Sequence, residues 1–236
     1  MVQIPIKGDI VDNETGSFYD FFDIACVYPQ AIENQLKQAN GQPVEVDIAS
    51  NGGDVFAGSE IYTMLKTYNG PVTVNIVGLA ASAASVIAMA GDKVNISPTA
   101  QIMIHQAWSM IEGNSDDLNH ESQVLSNIDQ SIVNAYVAKT GQEPDKLLQM
   151  MQNETWMTAQ QAVDNGFADA ILFVDEKQPQ IANSLEHSFV TKSAINKLKT
   201  MQMQLQHYHD EQKQPVKHDD LLKAKLNILR GEKNEN

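Results

Sequence analysis

Gly78-Leu79-Ala80-Ala81-Ser82-Ala83-Ala84-Ser85 is the stretch whose reading decides the fold. An apolar, β-branched run over residues 72–77 leads into it. Residues 83–90, closed by Gly91, lead out of it with helical composition. Small residues where a strand passes into a helix let the backbone turn tightly and let a ligand come close. A serine set in that turn stands at a strand end, beside the first amides of a helix, which have no acceptor inside the helix. That position suits a nucleophile. The plainer reading is an Ala-rich helix packed closely against a neighbour, and the run taken alone favours the plainer one.

Working outward, the same strand-then-helix grammar recurs. Upstream, Val44, Val46 and Ile48 alternate with Glu45 and Asp47, the pattern of a half-buried strand. Ser50-Asn51-Gly52-Gly53-Asp54 breaks it, and Val55, Phe56, Ile61, Tyr62 and Leu65 place a helix stopped by Asn69-Gly70-Pro71. Before that, Pro29 suits a first helical position, and the apolar face runs on to Asn40-Gly41. Residues 2–11 predict one strand, or two around Gly8. The Phe/Tyr-rich residues 12–26 fit no element cleanly.

Downstream, residues 94–96 and 102–104 predict short strands around Ser97-Pro98-Thr99. A long helix is expected from Ser115 as N-cap, with Asp116 and Asp117 in its first turn. Its apolar face is Leu118, Leu125, Ile128, Ile132 and Tyr136, and Gly141 ends it. A shorter helix covers 145–152. Thr158-Ala159-Gln160-Gln161 is a capping box, and residues 168–174 predict a last strand. Repeated strand–helix units with short connections predict an α/β body over residues 1–174. Residues 175–192 read as a linker, and residues 193–236 as a polar extension with helices over 193–212 and 219–230 split by Pro215.

Charge is unevenly spread. Residues 1–174 hold 21 of the 30 acidic residues but only 6 of the 16 basic ones, and the single arginine of the chain is Arg230. So acidic a body argues against nucleic acid and anionic membrane surfaces as partners, and leaves it no arginine for a phosphate site. The one cysteine, Cys26, excludes an intramolecular disulfide and a cysteine-rich zinc site, and reads as a small buried apolar residue. There is no basic-then-apolar leader pattern, and the most apolar stretch, residues 76–90, is short for a span and broken by Gly78 and two serines. A cytoplasmic protein is expected.

Three signals carry chemistry: Ser82 in its small-residue turn, the double glycine Gly52-Gly53, and His105 at the end of Ile102-Met103-Ile104. A serine hydroxyl needs a base to take its proton, and histidine is the usual one. The tetrahedral intermediate needs donors for its oxyanion, commonly two backbone amides. Gly53, having no side chain, can bring an amide close to a ligand, and the amide of Ala83 follows the serine directly. Each signal has a plainer reading: a structural histidine, an ordinary glycine turn. Ser85 competes as nucleophile but lies one helical turn further on.

Taken together, the motifs resemble those of the Clp protease proteolytic subunit family. SNGGDVFAGSEIY (50–62), GLAAS (78–82), IMIHQ (102–106) and TAQQAVDNGFAD (158–169) stand in that family's order and spacing. The resemblance implies Ser82 as nucleophile, His105 as general base, and the amides of Gly53 and Ala83 as the oxyanion hole. It also implies a stack of ββα units, shared with the crotonase-like fold, in which the long helix over 115–139 is a handle between two rings. The family's third catalytic residue is an aspartate two residues before an aromatic. The aromatic here is Trp156, which makes the position Glu154. A glutamate can orient a histidine through Nδ1–H, with its carboxylate displaced by one methylene. Asp129 and Asp169 are weaker substitutes, and the plain reading of Glu154 is a solvated carboxylate.

Two departures count against an ATPase-coupled double ring: Thr155 stands where the family has an arginine, and residues 1–8 hold no clear counterpart of the gating loop. The short N-terminus, the Ser-Asn-Gly-Gly-Asp wording and the helical tail resemble the phage-encoded branch, which implies processing of capsid proteins during head maturation. The expectation is therefore a serine endopeptidase, a ring-like homo-oligomer acting on protein or peptide substrates. It needs neutral His105 and so loses activity on acidification. Weighed against it are general ATPase-coupled degradation, a crotonase-like acyl-CoA enzyme, and a non-catalytic capsid assembly protein. No metal or organic cofactor is implied; His207 and His209, the only histidines near ligand spacing, fall in the polar tail.

Overall fold

The computed structural model describes residues 2–174. The linker and helical-extension expectations fall outside the described residues. The elements, in chain order, are β1 (Val2–Lys7), β2 (Asp9–Ile10), α1 (Asn13–Phe21), β3 (Cys26–Val27), α2 (Pro29–Ala39), β4 (Val44–Ser50), α3 (Val55–Thr67) and β5 (Val72–Ala81). They continue with α4 (Ala83–Ala88), β6 (Lys93–Ile96), β7 (Gln101–Ile104), α5 (Ser115–Thr140), α6 (Pro144–Gln152), β8 (Thr155–Thr158), α7 (Ala159–Asp164) and β9 (Ala170–Ile171). This is an α/β fold.

A seven-stranded sheet runs β1-β4-β5-β6-β9, with β7 paired to β5 and β8 paired antiparallel to β7. All other pairings are parallel. Its strands are rich in Val and Ile, the usual composition of parallel strands covered by helices. Ile4, Ile6, Val46, Ile48, Val74, Ile76, Val94, Ile102 and Ile104 are all fully buried. They pack with Ile32, Ile61, Leu65, Ile87, Tyr136 and Phe167 from helices and loops into one core.

β5 is where the sheet forks. Its first half, residues 73–76, pairs with β6, and its second half, residues 79–81, pairs with β7. Opposite β4 the register jumps from Ile48–Ile76 to Ser50–Ala80, so β5 carries two extra residues in that step. Val77 and Gly78 are exposed there, where the alternation of the strand fails. The extra residues carry the strand from one neighbour to another, as bulges do. This fork brings the end of β5 beside the end of β7, and so Ser82 beside His105.

The long helix begins one residue earlier than expected: Asn114, not Ser115, is the N-cap, and it forms a capping box with Asp117. Asn114 Oδ1 accepts from the amides of Asp116 and Asp117. The apolar face assigned to this helix holds only in its second half. Leu118 is exposed, Leu125 and Ile128 are half-buried, and burial starts at Asp129. The first half therefore projects from the body.

Three further differences have local causes. The Phe/Tyr-rich residues 12–26 contain α1, capped by Asp12, whose carboxylate accepts from the Thr15 amide. That amide holds the Asp12 carboxyl below its ordinary range. Because α1 and its C-cap leave Phe18, Phe21 and Phe22 exposed, no apolar face marks it in the sequence. The expected last strand over 168–174 shrinks to β9, since only Asn95–Ala170 and Ile96–Ile171 pair. Four-residue β8 was not anticipated, having only a Thr-Trp-Met-Thr signature. No helix among the described residues is long and apolar enough to cross a membrane.

Candidate active site

Three strand ends and the side of one helix converge on one groove. β4 runs into Ser50-Asn51-Gly52-Gly53, β5 into Ser82, β7 into His105, and α5 closes the far side. The groove measures about 830 Å³ and is lined by Gly52, Gly53, Ser82, Ala83, His105 and Ile128, among others.

Ser82 is the single residue between β5 and α4 and adopts φ 55°, ψ −127°. A non-glycine residue in that region is strained by about 1–3 kcal/mol and persists only where its surroundings hold it. Here they do. The Ser82 amide donates to the Met103 carbonyl at 2.9 Å, extending the β5–β7 ladder by one bond. Its carbonyl accepts from the Ser85 amide and the Ser85 hydroxyl. α4 behind it is buried along its whole length, and Gly58 of α3 lies so close that a Cβ there would sit 3.0 Å from Ala83 Cβ. The close helix packing of the plain reading of the Ala-rich run is present, and it holds the turn in place.

The side chain of Ser82 points to β7. Its Oγ lies 2.7 Å from His105 Nε2, and both residues are half-buried. With the imidazole proton on Nδ1, Nε2 accepts the serine proton. Ser85 is fully buried, and its hydroxyl is engaged by Tyr136 at 2.8 Å. It does not open onto the groove.

The double glycine is a steric requirement. At Gly52, with φ +92°, a Cβ would fall 2.6 Å from the Ala81 carbonyl oxygen and 2.7 Å from Ser82 Cβ. At Gly53, with φ +148°, it would fall 2.1 Å from the Ile10 carbonyl oxygen. The loop is pinned to β2 by Ile10 N–H donating to Gly52 C=O and Asp54 N–H donating to Ile10 C=O. That bridge engages the residues on either side of Gly53 and leaves the Gly53 N–H out of it. Ala83 is the first residue of α4, so its N–H has no helical acceptor. Ser50 steadies the approach, its hydroxyl donating to the Gly8 carbonyl and accepting from the Gly52 amide.

Glu154 lies elsewhere in hydrogen-bonding terms. β7 and β8 pair as Ile104–Thr155, and one more step of that register sets residue 154 across from residue 105. Yet Glu154 is exposed, has φ +48°, and its carboxylate accepts from Trp156 Nε1 at 3.2 Å. Among the described residues His105 Nδ1 has no hydrogen-bond partner. Asp129 accepts from the residues following His105, not from the imidazole. Asp169 accepts from Lys139 and the Val94 amide, away from the groove. Sequence reasoning did not anticipate the engagement of Asp129 and Tyr136; a polar residue on the buried face of a long helix was the available signal. Among the described residues no group of three His, Cys, Asp or Glu side chains is arranged to hold a metal ion.

Known proteins share this arrangement of segments. The family profile described as Clp protease matches residues 31–175. An ATP-dependent Clp protease proteolytic subunit 1 from Chlamydia abortus is 36% identical over 137 residues, covering 56% of this chain and 71% of that protein. An ATP-dependent Clp protease proteolytic subunit from Deinococcus radiodurans is 32% identical over 133 residues, covering 56% of this chain and 65% of that one. Among solved structures, a ClpP1 mutant from Listeria monocytogenes superposes with a TM-score of 0.61 at 23% identity, over 72% of this chain and 91% of that one. The profile match takes in the double-glycine loop, the Ser82 turn and the His105 strand end alike, and with it the chain belongs to the Clp protease family.

Proposed function

We propose that the chain is a serine endopeptidase that forms an acyl-enzyme on Ser82. His105 takes the serine proton as Oγ attacks the peptide carbonyl, then delivers it to the leaving amine. Water deacylates the serine by the same route in reverse. The amides of Gly53 and Ala83 receive the oxyanion, and Glu154 is the third member, orienting His105 through Nδ1–H after its side chain leaves Trp156. The observation that carries this reading is the 2.7 Å approach of Ser82 Oγ to His105 Nε2 within the groove. No cofactor is required by this chemistry.

The substrate is a protein or peptide, and the setting we favour is capsid processing in a phage prohead, in the bacterial cytoplasm. The support for that setting lies in the sequence: Thr155 at the family's arginine position and the polar extension over 193–236. The relatives named ATP-dependent Clp protease proteolytic subunits support general degradation as the second reading. A ring-like homo-oligomer is favoured by the apolar surface left open: Phe21, Trp108 and Met110 are 80, 74 and 90% exposed.

The deciding experiment co-expresses the chain, with and without Ser82→Ala, beside a candidate capsid protein, and reads cleavage products by mass spectrometry and assembly by size. Cleavage lost in the variant supports the peptidase. Identical products from both chains overturn it in favour of an assembly protein.

A further inference from the structure

Helix α5 buries two polar side chains that the acyl-transfer chemistry does not use. Asp129 is 5% exposed, and each of its carboxylate oxygens has a donor. Oδ1 accepts from the Ala107 amide at 2.7 Å and Oδ2 from Gln106 Nε2 at 3.0 Å. These are the two residues directly after His105.

Tyr136 is 1% exposed, with its hydroxyl 2.8 Å from Ser85 Oγ. Ser85 Oγ donates its one proton to the Ser82 carbonyl at 2.6 Å, so Tyr136 must be the donor to Ser85. Burial pushes the Tyr136 phenol far above its ordinary range, which keeps that proton in place. A relay of donors therefore runs from Tyr136 through Ser85 to the backbone of the nucleophile. Residues 129 and 136 are two helical turns apart and share one face of α5.

We infer that α5 sets the spacing of Ser82 and His105, with Asp129 and Tyr136 as positioning residues. The inference rests on Ser82 and His105 being the reacting pair. The β5–β7 ladder fixes the two strands only up to Ala81–Met103 and the Ser82 amide. Beyond that point Ser82 enters α4, while His105 enters a loop without strand partners. Asp129 accepts from the loop amide of Ala107, two residues after the base, and from the side chain of Gln106 between them. A carboxylate suits this place because it accepts at both oxygens. An asparagine would offer one oxygen and turn an NH2 group toward a donor, leaving a hydrogen bond unmade in a buried place.

The test uses the full chain and measures kcat and KM on a fluorogenic peptide. It also measures the rate at which a fluorophosphonate labels Ser82, together with thermal stability and assembly size. Asp129→Asn is expected to lower kcat and the labelling rate about 10- to 100-fold, as displacements of about an ångström do, with KM within about twofold and the fold retained. Tyr136→Phe, which keeps the ring in place, is expected to lower both about 3- to 10-fold. Both variants within twofold of wild type would overturn the role of α5. So would a loss of kcat that only tracks the loss of folded protein; should Asp129→Asn not fold, Tyr136→Phe decides. A wild type that neither hydrolyses peptide nor labels above Ser82→Ala overturns the reacting pair itself, and this inference falls with it.

Discussion

The two ends of the candidate relay are built very differently. Ser82 follows the last rung of the buried parallel β5–β7 ladder and His105 stands two residues past it, and each is gripped from behind: Ser82 by α4 and Ser85, His105 by the loop that Asp129 holds. Glu154 also follows the last rung of a ladder, the antiparallel one between β7 and β8. But it sits on the rim in a left-handed conformation, and its carboxylate partner is Trp156, itself 49% exposed. A rim hydrogen bond contributes only about 1 kcal/mol, so a carboxylate there is easily redirected. Reactive geometry is fixed where the backbone is covered on several sides and left adjustable where it is not.

The largest effect should come from the fixed end. Ser82→Ala is expected to reduce peptide hydrolysis about 10⁴-fold or more while leaving thermal stability near wild type. Gly52→Ala breaks the same end from the backbone side. Its Cβ would collide with Ala81 and Ser82 at φ +92°, so activity should fall by about 100-fold or more and the melting temperature should drop. The matched control is Gly41→Ala, at φ +79° with nothing within 4 Å of the new Cβ. It carries the backbone penalty alone, about 1 kcal/mol, or roughly 2–4 °C in melting temperature, with kcat unchanged. If both glycine variants lost activity alike, close approach to Ser82 would not be what Gly52 is for.

The contrast also explains what was legible in the sequence. Elements with a buried face announced themselves: β4 by Val44, Val46 and Ile48, α2 by Pro29 and its apolar spacing, α7 by its capping box. The three segments that line the candidate site were legible for the same reason, since each sits where an apolar run stops at glycine, serine or histidine. What could not be read depends on long-range pairing or lacks a face. α1 turns its phenylalanines outward, β8 exists only because β7 pairs with it, and the fork in β5 becomes visible only from its two neighbours. Asp129 was considered as a carboxylate for the imidazole, whereas it serves the two residues beyond. Spacing along α5 gives its face but not which loop lies against it.

The smaller effects belong to the adjustable end, and they decide whether Glu154 works on His105. If it does, Glu154→Ala should lower kcat about 10- to 100-fold, well short of Ser82→Ala, because an orienting group costs less to remove than the nucleophile or base. Trp156→Phe is the finer probe. It removes the indole N–H that holds the carboxylate, keeps an aromatic ring on β8, and leaves the register that sets residue 154 opposite 105. Freed from Trp156, the carboxylate reaches Nδ1 more often, and kcat should rise about two- to threefold with KM unchanged. That is the gain from releasing a competing contact worth about 1 kcal/mol when only part of it opposes the active conformer. In the double variant Trp156→Phe with Glu154→Ala the gain must vanish, because nothing is left to release. A rise that survives the loss of Glu154 would mean that Trp156 acts on the groove directly, and that His105 works without a carboxylate at its far side.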